Sequence, residues 1–301
     1  MKKLIAVLLA LTLVFALVAC AAAPAEETAE TAEAAVEAAT EAATEAAAEA
    51  VTEAVTETVT EAVTEATGRT FTMGIDPEYP PFSYMDETGE YTGFDVEICK
   101  AACENLGWDF QVFGVNWDEK LIQLDAGECD CVWSGMTILD SMKESGYVLS
   151  APYYDNTQVI LVKADSGIAS SADLAGKAVA VQLGTSGESL LQGDLADMAA
   201  TFGELVTCDS FLKCFTELDG GAVDAVFVDA PVATSYAAEN EGYTIIDEAL
   251  GAEQYGIAFR ADDAETCAAM EGAVAELVAD GTYAAIASNY PDIVNNLLFL
   301  Q

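Results

Sequence analysis

Histidine is absent from all 301 residues. Its absence removes Ser-His-Asp and Cys-His catalysis and most zinc sites, because each of these needs an imidazole. Positive charge is almost as scarce: 10 lysines and arginines stand against 52 aspartates and glutamates, for a net charge of −42. Nucleic acid is excluded as a partner, since phosphate binding needs basic patches. The same field disfavours anionic ligands at long range, although local groups override it at contact. The eight cysteines include no Cys-x-x-Cys pair. Beyond Cys20 there are seven, Cys99, Cys103, Cys129, Cys131, Cys208, Cys214 and Cys267, an odd number that cannot all pair internally. They read as small buried residues, with room for one or two disulfides outside a cell, and not as a metal site.

The amino-terminal 19 residues read as a processing signal. Lys2 and Lys3 precede an apolar run over 4–18, too short to span a bilayer comfortably. The run ends in Leu17-Val18-Ala19-Cys20, a bacterial lipobox pattern that predicts cleavage before Cys20 and its lipidation. An ordinary secretory signal is the alternative. More than one acyl chain on Cys20 would anchor the chain stably to the extracytoplasmic face of a bacterial cell membrane. Residues 20–68 then form an acidic stalk of Ala, Glu, Thr and Val, with glutamates every four residues from Glu33 to Glu65. Like charges at i,i+4 repel and threonine is a poor helix former, so a flexible or partly helical tether is expected. A four-residue period fits no coiled-coil seam.

From residue 68 onward, short apolar runs alternate with helical patterns, which predicts α/β architecture with parallel strands. Strands are expected over 71–75, 109–113, 129–133, 159–162, 178–181, 205–208, 222–227, 244–246 and 256–259. Helices are expected over 94–106, 118–125, 188–200, 211–218, 231–239, 263–280 and 283–289. No internal repeat is evident.

The stretch from Phe71 to Ile98 carries the most information. An apolar run ends at Asp76, and the loop Pro77-Glu78-Tyr79-Pro80-Pro81-Phe82 follows, stiffened by three prolines that each fix φ. Gly93-Phe94-Asp95 then opens an amphipathic helix. One carboxylate and two rings on a stiff loop after a strand suit a small ligand with a cationic group and an apolar body. A proline turn with no ligand is the plainer reading.

This stretch resembles the opening of the amino-acid-binding solute receptors of ABC importers, the polar amino acid group of bacterial solute-binding protein family 3. Further motifs follow in that family's order. They include Cys131-Val132-Trp133-Ser134-Gly135-Met136-Thr137, Ser150-Ala151-Pro152-Tyr153, Gly184-Thr185-Ser186-Gly187-Glu188, Phe227-Val228-Asp229 and Gln254-Tyr255-Gly256-Ile257. The resemblance covers about residues 69 to 291 and implies a two-lobed, periplasmic-binding-protein-like type II fold with two hinge crossovers. Lobe 1 would hold 69–155 and 255–301, and lobe 2 would hold 156–254, with hinge strands near 155–158 and 253–255. It also implies an extracytoplasmic receptor that captures a polar amino acid or related zwitterion and delivers it to an ABC permease and its ATPase. Such a receptor is a monomer, uses no cofactor and makes or breaks no bond. The alternatives are a dehydratase of the same fold and an amino-acid sensor without transport. The dehydratase needs several basic residues for its anionic substrate, and few are present.

By the same resemblance, Asp229 binds the ligand's ammonium. Its place at a strand's carboxyl end before Ala230-Pro231 also suits a plain helix N-cap. The carboxylate is expected on the turn carrying Thr185 and Ser186, with Ser134, Gly135 and Thr137 contributing from the other lobe. Tyr79 and Trp117 would sandwich the side chain, Asp76 and Gln182 would wall it from opposite lobes, and Phe82 would pack beneath the loop. The family pattern places an arginine five residues beyond the threonine, where this chain has Met142. Lys143 takes its place if the loop holds one inserted residue, and a surface lysine is the equal alternative.

Overall fold

The computed structural model describes residues 68–300. The expected signal segment, Cys20 and the stalk lie outside the described residues. In chain order the strands are β1 (Thr70–Ile75), β2 (Glu78–Tyr79), β3 (Ser83–Met85), β4 (Tyr91–Thr92), β5 (Asp109–Gly114), β6 (Cys131–Val132) and β7 (Val148–Leu149). They continue with β8 (Tyr154–Lys163), β9 (Ala178–Gln182), β10 (Glu204–Cys208), β11 (Ala225–Asp229), β12 (Tyr243–Ile245), β13 (Ala252–Tyr255) and β14 (Ala258–Phe259). The helices are α1 (Phe94–Leu106), α2 (Lys120–Asp125), α3 (Asp140–Glu144), α4 (Ser186–Gln192), α5 (Ala196–Ala199), α6 (Phe211–Gly220), α7 (Ala230–Glu239), α8 (Ala264–Asp280) and α9 (Thr282–Ala287).

Two sheets organise these elements into two lobes. The first has the order β5-β1-β6-β14-β7, and the second β10-β9-β11-β8-β12. In the first, β1 pairs parallel with both β5 and β6. In the second, β9 pairs parallel with β10 and β11. Strands β9 and β11 read AVAVQ and AVFVD, near-continuous apolar runs, as strands covered on both faces do. Strand β8 is the long connector. Its Tyr154–Thr157 end pairs antiparallel with Tyr255–Ala252 of β13, and its later residues pair with β11 and β12. The chain enters the second lobe along β8 and leaves along β13, so the two crossing strands support each other.

Helix α1 begins where expected: Glu97 in its first turn favours its positive end, and its face Phe94, Ile98, Ala102 follows a helical period into the core. Elsewhere local geometry overrides the sequence pattern. The helix expected over 188–200 is two pieces, α4 and α5, broken at Gly193, whose φ of −115° and ψ of −104° leave the helical region. Helix α3 stands where no element was expected, and the strand expected over 222–227 starts three residues later and ends two later. All seven described cysteines are buried free thiols.

Asp95 also ties the core to the loop after β6. It is fully buried, and its Oδ2 accepts from the Gly135 amide and the Tyr153 hydroxyl, both at 2.7 Å. Its Oδ1 is buried without a hydrogen bond. Burial pushes the carboxyl up to about 7, against the pull of those two donors. A pKa raised on folding means that the native state holds a proton that the unfolded chain releases near 3.8. Stability from Asp95 is therefore fully present below pH 4 and is lost as pH rises through 7, by on the order of 4 kcal/mol. Denaturant midpoints should fall between pH 4 and 7 for the native chain and fall distinctly less for Asp95→Asn. Parallel pH profiles would remove Asp95 as the cause.

Candidate functional site

The carboxyl ends of the parallel strands of both sheets converge on one region. Asp76 follows β1, Ser134–Thr137 follow β6, Gln182 ends β9 and Asp229 ends β11. This is where open α/β sheets place ligands. A cavity of about 20 Å³ lies here, lined by seven of the expected residues, Tyr79, Trp117, Gly135, Thr137, Thr185, Ser186 and Asp229, together with Lys120, Met136, Leu139, Met142 and Gly184. That volume holds about one water molecule. A larger apolar cavity of about 270 Å³ in the first lobe, against Phe94, Trp133 and Tyr283, includes none of the expected site residues.

Asp229 is the most constrained side chain of the group. It occupies the N-cap position of α7 but makes no capping hydrogen bond. Its Oδ1 instead accepts from Asn156 Nδ2 at 2.6 Å, Gln158 Nε2 at 2.8 Å and the Tyr255 hydroxyl at 2.9 Å. The same Nδ2 and Nε2 also donate to Glu253 Oε1, at 2.6 and 2.9 Å. Each of the two amides, with two N–H donors, thus serves both carboxylates. Burial, and then the neighbouring Glu253 charge, raise Asp229 well above the usual carboxylate range. The plain N-cap alternative does not describe this side chain.

Contacts across the lobes close the rest of the site. Gln182 Nε2 donates to Asp76 Oδ2 at 2.7 Å, and Thr137 Oγ1 donates to Ser186 Oγ at 3.1 Å. Asp76 is buried, its other oxygen accepts from the Glu78 amide, and burial raises its pKa. Asp76 and Gln182 therefore face each other from opposite lobes beside the cavity. Ser134 is buried as well, but its hydroxyl accepts from the Asp76 amide and bonds Ser83, which places it beneath the loop and not on the cavity wall. Thr185 caps α4, its Oγ1 accepting from the Glu188 amide at 3.1 Å.

The rings sit as their loops require. Tyr79 is buried, its hydroxyl bonded to that of Tyr255 at 2.8 Å. Phe82 packs edge-on against Tyr154 and Tyr255 beneath it. Gly135 must be glycine: its φ is +53°, and a Cβ there would stand 2.3 Å from Tyr79 Cε1. Trp117 is buried and lies 4.7 Å from Lys120 Nζ, measured to the ring centre.

Lys143 is not brought to the cavity. Its side chain is largely exposed, and its ammonium pairs with Asp140 at 3.1 Å, one turn earlier on α3. The i,i+3 spacing puts both on the outer face of that short helix, while Met142 points inward to line the cavity. In this structure Lys143 is a surface lysine paired within its own helix.

Five contributors escaped the sequence reading: Lys120, Asn156, Gln158, Glu253 and Tyr255. Their signals were weak but present. Asn156 and Gln158 alternate with Tyr154 on the buried face of β8, where polar residues are out of place unless paired. Lys120 stands one turn before Leu124, the fully buried residue of its helix.

Known proteins resemble this chain in sequence and fold. Residues 71–292 match the family model described as bacterial extracellular solute-binding proteins, family 3. The L-cystine-binding protein TcyJ of Escherichia coli K12 is 30% identical over 224 residues, covering 73% of this chain and 82% of that protein. The ABC transporter arginine-binding protein 1 of the same organism is 28% identical, covering 72% and 89%. Among solved structures, a mutant of ArgBP from T. maritima superposes with a TM-score of 0.67 at 33% identity, covering 73% and 93%. These relatives are named as binding proteins and not as enzymes. Family match and two-lobed fold agree: the chain belongs to the bacterial extracellular solute-binding proteins, family 3.

Proposed function

We infer that the chain captures a polar amino acid, or a closely related small zwitterion, between its lobes and delivers it to an ABC permease and its ATPase. One observation carries the ligand class. The buried carboxylate of Asp229 lines the cavity, forgoes its capping bond and shares both amide donors with Glu253. Like charges held together in a poorly solvated place favour an arriving cation, and a ligand ammonium would make charge-assisted hydrogen bonds there. The relatives named for cystine and arginine support the same class.

Lobe closure is the working motion. Asp76 with Gln182 and Thr137 with Ser186 are bonded across the lobes. A cavity of about 20 Å³ admits an amino acid only when the lobes part about β8 and β13. A ligand that contacts both lobes stabilises the closed form and shifts the equilibrium toward it. The permease then reads the closed shape. The receptor works as a monomer tethered by lipid on Cys20, the stalk keeping it near its membrane partner at high effective concentration.

Titration calorimetry of the purified full chain against the twenty amino acids, with cystine and ornithine added, tests the reading. At least one polar member should bind, and Asp229→Ala should weaken that ligand by tenfold or more. A chain that binds none would overturn the ligand class, and an unchanged affinity would remove Asp229 from the ammonium subsite.

Closure makes a separate prediction at Gly184. Its φ is +72°, and a Cβ there would stand 2.6 Å from Asp118 Cα on the opposite lobe. Gly184→Ala should weaken the ligand at least tenfold. The left-handed backbone should cost the unliganded protein about 1 kcal/mol, a shift of about 2–4 °C in Tm. Equal affinity in the variant would mean that the two lobes need not approach this closely.

A further inference from the structure

We propose that Lys120 is the group that receives the ligand's carboxylate, and so decides which zwitterions this receptor accepts. The assignment rests on the zwitterion-binding reading above and adds the second half of the ligand to it.

Lys120 is a buried cation without a counter-ion. It is 8% exposed and lines the interlobe cavity. Among the described residues no carboxylate oxygen comes within 4.0 Å of its ammonium. An ammonium has three N–H donors. One goes to the Trp117 carbonyl at 3.1 Å, within the first lobe, and another to the Gly184 carbonyl at 2.7 Å, across to the second. Neither acceptor carries a full charge, and the third donor makes no hydrogen bond among the described residues. Uncompensated burial of a charge costs several kcal/mol, and an anion arriving on the free donor would offset that cost.

The surroundings agree with that cost. Burial draws the Lys120 ammonium down to about 8, opposed by Asp118, Asp76 and Glu188 at longer range. It remains positively charged near pH 7. The Trp117 face, 4.7 Å away, adds cation–π attraction that holds the ammonium in place without neutralising it. No other cation competes for the role. Lys143 turns outward to Asp140, Met142 lines the cavity with an apolar chain, and Lys120 is the single basic residue lining it. Asp229 also lines the cavity, so its wall presents a carboxylate for a ligand ammonium and an ammonium for a ligand carboxylate. Because Lys120 donates to a carbonyl on each lobe, a carboxylate on its third donor is held at the lobe junction.

Two ligand carboxylates satisfy this chemistry, the α-carboxylate or one on the side chain, and paired probes separate them. The full chain is titrated with L-arginine against L-argininamide, L-histidine against L-histidinamide, and L-glutamate against L-glutamine, with L-cystine alongside. For whichever probe binds, the native chain should prefer the carboxylate over the matching amide by at least tenfold, about 1.4 kcal/mol. Lys120→Met, of similar length and no charge, should bring that ratio close to one. Lys120→Arg should restore part of it, which a packing role alone would not do. Loss confined to the α-amide pairs assigns the α-carboxylate, and loss confined to glutamate against glutamine assigns the side chain. If Lys120→Met fails to fold, the same ratio is read on Lys120→Gln. A variant that keeps the native ratio overturns the role of Lys120 and leaves the amino-acid reading standing. A native chain that binds no probe overturns both.

Discussion

Asp229 and Glu253 accept hydrogen bonds from the same two side-chain amides, those of Asn156 and Gln158, where the lobes meet. Burial, and then the charge of the neighbouring Glu253, raise the cost of ionising Asp229. The amides offset part of that repulsion, and the Tyr255 hydroxyl, itself bonded to Tyr79, adds a third donor to Asp229. Four members of this cluster, Asn156, Gln158, Glu253 and Tyr255, stand on the two crossing strands, so the chemistry that favours a cation is carried by the backbone that joins the lobes.

The remainder of the junction follows from complementary demands. Glycine is required wherever the lobes or loops come closest: Gly135 beneath the Tyr79 ring and Gly184 against the Asp118 backbone. A hydroxyl pair, Thr137 with Ser186, and a carboxyl–amide pair, Asp76 with Gln182, bond across the gap. Hydrogen bonds of these kinds are worth only about 1–3 kcal/mol against water. Contacts of that size allow a closed form to be reached without locking it, as a receptor that must release its cargo requires.

Charge operates on two scales. The chain as a whole is strongly acidic, and at a distance that field repels anions. Inside the cavity, where water is scarce and interactions are weakly screened, a single lysine outweighs many distant surface carboxylates. Lys120 held by two carbonyls is thus compatible with a net charge of −42.

The sequence by itself determined the α/β class, most strand and helix cores, the family and most of the cavity wall. Those features depend on local periodicity and on short motifs, such as Tyr79-Pro80-Pro81-Phe82 or Phe227-Val228-Asp229, whose geometry is set within a few residues. Asp229 was legible because it ends an apolar strand. Only the tertiary structure decided what sits beside it, because Asn156, Gln158 and Glu253 are up to 97 positions apart and meet through strand pairing. Tertiary packing also chose between two lysines. Lys143 has the nearer place in the motif, but the turn of α3 sends it to Asp140 and into water. Lys120 carried only a weak sequence signal of its own, and the Gly184 carbonyl that it meets is supplied 64 residues later by the other lobe. Side-chain charge is written in the sequence, whereas desolvation is a property of everything packed around it.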